Sequence, residues 1–91
     1  MTMIAVWLKI DEERVDLALQ EAGEQLDSAE GEVVLDFSSV RRVDPGAIRA
    51  LERFADLADD KSVKVALRGV NVDVYKVFKL VKLARRFSFV A

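Results

Sequence analysis

The stretch EVVLDFSSVRRVDPG, residues 32–46, places a strand, a loop and a helix start in direct succession. Glu32 to Phe37 is an almost unbroken apolar run bounded by Gly31 and by Ser38-Ser39, the pattern of a strand buried in a parallel sheet. Asp44-Pro45 then marks a helix N-terminus. The aspartate can cap free N–H groups, and proline has its φ preset and lacks an N–H that the first helical position does not need. Ala47, Ile48, Leu51, Phe54, Ala55 and Ala58 follow at helical spacing as a buried stripe, while Arg49, Glu52, Arg53 and Asp56 face outward.

The same β-then-α unit recurs on both sides. Upstream, Met3 to Leu8 reads as a first strand, Asp11 as an N-cap with Glu12 and Glu13 in the first turn, and Val15, Ala18, Leu19, Ala22 and Leu26 as a helical stripe. Downstream, Val63, Val65 and Leu67 predict a third strand. Gly69 to Asp73 is a turn with helix-start character, Val74, Val77, Phe78 and Val81 predict a third helix, and Phe87 to Val90 a last strand. The expected fold is α/β, in the order β-α-β-α-β-α-β: a four-stranded, mostly parallel or mixed sheet with helices packed on it, in one domain over residues 1–91. Trp7 is expected in the core, with a contact at an exposed sheet edge as the alternative.

The composition narrows the chemistry. The chain has no cysteine and no histidine, which removes disulfides, thiol nucleophiles, the usual zinc ligands and the commonest general base. No metal and no cofactor is expected, and no glycine-rich phosphate loop follows any strand. The absence of cysteine suits a cytoplasmic location. The apolar opening is too short to span a bilayer, so no membrane insertion is expected. Residues 1–45 hold eleven acids against four bases, and residues 46–91 five acids against ten bases, so a formal charge of −2 conceals halves of opposite sign. Nucleic acid is not an expected partner, because the isoelectric point is near 5.1 and aromatic residues are poorly interleaved with the bases.

From Val33 to Phe89 the chain resembles the STAS family, named for sulfate transporters and anti-sigma factor antagonists. Val-Val-Leu-Asp-Phe-Ser at 33–38 is similar to the family's strand ending in Asp-Leu-Ser. Residues 44–51 stand where the family has Asp-Ser-Ser-Gly-Leu, a spacer and Leu, and residues 64–70 match its next strand and turn. Residues 77–83 match its last helix, and Phe87 its closing aromatic. The resemblance implies a non-catalytic protein-interaction module and a protein partner, either an anti-sigma kinase-like regulator or a transporter component. In anti-sigma factor antagonists of this family the second serine after the aspartate is phosphorylated. Here Pro45 and Gly46 occupy the two serine positions, so neither carries a hydroxyl to modify. The family also has two strands before its first helix where this chain has room for one, which would leave a barer sheet edge and make a homodimer through strand one an option.

Arg41, Arg42, Val43, Asp44, Pro45, Gly46 and Arg49 form the expected partner-binding surface. Arginine is frequent at interface hot spots, and the resemblance implies that this loop and helix start meet the partner. The same arginines beside helix N–H groups leave a small-anion or nucleotide receptor open as an alternative, with a competing cap at Asp44. An accessory subunit of a lipid or anion transport complex of the ABC type is a further alternative to regulation of transcription. A secondary basic surface is expected along the last helix, at Lys76, Lys79, Lys82, Arg85 and Arg86, facing solvent, an acidic partner or an anionic membrane surface. Asp36 and Asp44 flank one loop and are the nearest approach to a catalytic pair, but no nucleophile or base accompanies them. No enzymatic activity and no catalytic residue is expected.

Overall fold

The computed structural model describes residues 6–10, 13–26 and 31–90. The expected strand residues Met3 to Ala5, the expected cap Asp11 and the expected first-turn acid Glu12 lie outside them. Four strands, β1 (Val6–Lys9), β2 (Glu32–Asp36), β3 (Lys64–Arg68) and β4 (Ser88–Val90), alternate with three helices, α1 (Val15–Glu24), α2 (Pro45–Asp60) and α3 (Val72–Leu80). A 3₁₀ turn at Ala84–Arg86 precedes β4. The sheet runs in the order β1-β2-β3-β4, and every pairing is parallel. This is the α/β order read from the sequence, with no antiparallel strand among those described.

A parallel sheet whose strands follow one another without reversal sends each right-handed crossover over the same face. The burial pattern agrees. Val33, Leu35, Val65 and Leu67 point into one core with Leu19, Ala22, Ala47, Leu51, Phe54, Ala55, Ala58, Val74 and Phe78 from the helices. Val34 and Ala66, of opposite parity, are buried but stand outside that core. They lie in a row with Trp7 on the second face, since Trp7 is in register with Val34 and Val34 with Ala66.

Trp7 is therefore not a core residue. It is 59% exposed, because register gives Leu8 the inward position beside Leu35, and Trp7 must then point out. The Arg68 guanidinium lies 5.8 Å from its ring centroid. To reach β1 from β3, Arg68 crosses β2 on this second face.

Helix ends follow their local chemistry, with two departures. α2 starts as read: the Asp44 carboxylate accepts from the Ala47 N–H at 2.7 Å, and Pro45 is the first helical residue. α1 begins at Val15 with Arg14 in the capping position and no side-chain cap, so its first-turn acid is Asp16 and not Glu13. α3 stops at Leu80, and Lys82 adopts a left-handed φ of 65°. Val81, the C-cap residue, is exposed, while Val74 and Phe78 stay buried.

Candidate functional site

The loops that leave the carboxyl ends of β2 and β3 meet, and local bonding fixes each. At the end of β2, the Asp36 carboxylate accepts the Ser38 N–H at 2.9 Å, and Val40 N–H closes the turn on the Phe37 carbonyl at 2.9 Å. Hydrogen bonds from Ser38, the nearby Arg68 and Lys9 together hold the Asp36 carboxyl below the usual carboxylate range, against a smaller opposing effect of burial. Asp36 is thus committed to its own loop, as Asp44 is to its helix. The two carboxylates that flank the loop serve backbone N–H groups.

The β3–α3 turn clamps this loop from the side. Gly69 has a φ of +72°, and a Cβ on it would come within 2.9 Å of the Ser38 Cβ and 3.0 Å of the Ser38 Cα. Glycine is required there both for backbone conformation and for space. Asn71 then acts twice. Its Oδ1 accepts the Val74 N–H at 2.8 Å and caps α3, while its Nδ2 donates to the carbonyls of Val40 at 3.3 Å and Arg41 at 3.2 Å. One amide ties together the start of α3 and a loop thirty residues away. Sequence reading passed over Asn71. Its signal was an Asn directly before a helix, which predicts the cap but not the reach.

Val40 is buried and Val43 half-buried, so the loop is pinned at both ends while Arg41 and Arg42 between them stay exposed. The seven predicted residues do not form one cluster. Arg41, Arg42 and Val43 line a cleft of about 410 Å³ with Asp73, Val74 and Val77 of α3. Arg42 and Asp44 also border a small cavity that Glu13 and Asp16 share. Gly46 and Arg49 line a different groove, of about 610 Å³, between α1 and α2. Its floor includes Leu19, Phe54 and Leu57, its α1 rim carries Asp16 and Glu24, and its α2 rim carries Arg49 and Arg53. Pro45 is exposed at the head of α2.

This arrangement leaves little donor capacity for a small anion at the head of α2. Arg42 sits among three carboxylates, and the Ala47 N–H is already taken by Asp44. Ligand crevices in open parallel sheets form where the strand order reverses, and this order does not reverse. What remains is a ridge of rigid backbone with exposed arginines, flanked by two grooves. Among the described residues no group of three His, Cys, Asp or Glu side chains could hold a metal ion.

The expected basic stripe is also redistributed. Lys76 and Lys79 lie on α3, Lys82 lies past its end, and Arg85 and Arg86 lie in the 3₁₀ turn. Arg86 is engaged elsewhere: its guanidinium contacts the carboxylates of Asp56 and Asp59 on α2, each at 2.8 Å, and both acids raise its pKa. It staples the C-terminal turn to α2 and is no part of a free cationic surface.

The fold defines a small α/β domain with a parallel four-stranded sheet covered by helices on one face. The chain belongs to the STAS family: the family described as "Mlab, STAS domain" matches residues 9–90. Over 57 residues, 63% of this chain, it is 39% identical to the intermembrane phospholipid transport system binding protein MlaB of Escherichia coli (strain K12). The protein of the same name from Shigella flexneri matches to the same degree. The matched segment spans 59% of the length of those relatives. The fold is similar to that of a crystal structure described as a putative anti-sigma factor antagonist from Thermotoga maritima, with a TM-score of 0.72 at 20% identity, covering 98% of this chain and 74% of that one. No helix among the described residues is long and apolar enough to cross a membrane.

Proposed function

We propose that this chain is a non-catalytic docking subunit of a lipid-transport assembly, acting as one STAS domain that binds a protein component of that assembly through residues 41–49. The observation that carries the reading is the ridge itself. Arg41 and Arg42 project from a loop whose carbonyls are held by Asn71 and whose turn is packed against Gly69, so their backbone is presented with little conformational entropy left to lose on binding. The relatives named for phospholipid transport supply the class of partner. Arg49 and Gly46 extend the contact into the α1–α2 groove, where the opposed acidic and basic rims would fix the orientation of an inserted segment.

Docking here runs without a covalent switch at the helix start, because Pro45 and Gly46 offer no hydroxyl. The anti-sigma-like fold keeps one regulatory reading in view, in which the same ridge binds a kinase-like regulator and occupancy follows partner concentration alone. Affinity capture of the tagged chain from its native source distinguishes the two. Recovery of transporter components, lost on triple reversal of Arg41, Arg42 and Arg49 to Glu, supports the transport reading. Recovery of a regulatory kinase supports the other. Retention of every partner by the triple variant sinks the assignment of this surface.

A further inference from the structure

The acid-free end of the chain presents an apolar and basic surface that the docking ridge does not use. After Asp73 the sequence runs to Ala91 without an acidic residue and carries five bases. On α3, Val74 and Phe78 face the core, so the opposite face shows Val72, Lys76, Lys79 and Leu80 to solvent, with Tyr75 at its flank. Leu80 is 81% exposed and Val72 68% exposed. Beyond Leu80, exposed Val81 and the left-handed Lys82 complete a projecting tip, and these residues line none of the grooves described above. Lys76, Lys79, Lys82 and Arg85 make no ion pair among the described residues, and the Lys79 ammonium lies 5.9 Å from the Tyr75 ring centroid.

We propose that the outer face of α3 and the Leu80–Lys82 tip dock on the surface of an anionic phospholipid membrane, without crossing it. Two features select this occupant. The charge is complementary: Lys76 and Lys79 share the face with the apolar residues, Lys82 and Arg85 follow it, and on a molecule whose formal charge is −2 this cationic end is the one drawn to an anionic bilayer. The shape is also that of an inserting element. A leucine exposed at a helix end, with lysines nearby that can snorkel toward phosphates, is suited to enter a headgroup layer. The N-terminal end of α3 borders the Arg41–Arg42 cleft, and the tip lies at the other end, about 13 Å along a nine-residue helix. Partner and membrane can therefore be engaged together.

The test is co-sedimentation of the purified chain with vesicles of phosphatidylcholine alone and of phosphatidylcholine containing phosphatidylglycerol. Binding is expected on the anionic vesicles and should weaken as salt rises. The double variant Lys79→Gln/Lys82→Gln should bind about 25-fold more weakly, roughly fivefold per lysine. Leu80→Ala should lower binding on anionic vesicles with no change in thermal midpoint, because the side chain is already in water. No binding to anionic vesicles overturns the proposal, as does equal binding to both vesicle types or indifference to these substitutions. A lipid-free dimer broken by Leu80→Ala would assign the tip to a second copy of the chain and overturn it equally. None of these outcomes depends on capture through the 41–49 ridge.

Discussion

Asn71 is where the argument for a pre-positioned ridge can be broken most cleanly, because its two functions separate chemically. Asn71→Ala removes the cap of α3 and both bonds to the 40–41 carbonyls. Loss of an N-cap costs about 1 kcal/mol. The two loop bonds are long, at 3.3 and 3.2 Å, and the second is solvent-exposed, so about 0.5 kcal/mol each is a fair upper value. The sum, about 2 kcal/mol, corresponds to a fall in Tm of roughly 8–16 °C for a domain of this size. Asn71→Ser keeps a capping oxygen but cannot span to the loop, and should cost about half as much. Asn71→Asp keeps the cap but turns the donor into a second acceptor facing two carbonyls, so it should lose the loop bonds and add repulsion. Urea denaturation with an unchanged m-value would give the stabilities. Amide exchange over residues 40–43 would report the loop directly, with faster exchange in all three variants. If Asn71→Asp matched the parent in stability and in exchange, the amide would not be holding the loop, and the claim of a pre-positioned ridge would fall.

Two further outcomes follow from the same loops. Gly69→Ala should destabilise by more than about 2 kcal/mol, measured by denaturant midpoint, because it imposes strain at a φ of +72° and a 2.9 Å contact on Ser38; a neutral substitution would mean that the two loops are not in close apposition. Asp36 has its carboxyl held below the ordinary value, so its contribution is present above about pH 3.9 and is lost as pH falls through the lower folded-state value. Asp36→Asn should therefore flatten the acid limb of the stability–pH curve, and an unchanged limb would locate acid sensitivity elsewhere.

Local pattern carried the fold a long way. Alternation of apolar runs and helical stripes is enough to order the elements, and Asp44-Pro45 places the head of α2, because capping and proline geometry act within four residues. The departures occur where a decision is made across strands. Trp7 and Leu8 are both apolar, and only pairing with β2 settles which faces the helices. Val81 keeps helical spacing in the sequence, but α3 ends one residue before it. The arginines at 41, 42 and 49 sit close along the chain, yet they line separate clefts, because α1 and α3 border the loop and helix start from different sides.

The sequence by itself determined the α/β order, the capped start of α2, and the loss of a phosphorylatable hydroxyl at Pro45-Gly46, all of which depend on residue identity and short-range geometry. Only the tertiary structure decided that Asn71 holds a loop thirty residues upstream, that Gly69 must be bare to admit Ser38, and that Arg86 belongs to Asp56 and Asp59. The physical reason is one of range: capping and periodicity act over a few residues of chain, whereas these contacts exist only after the parallel sheet has brought distant segments together.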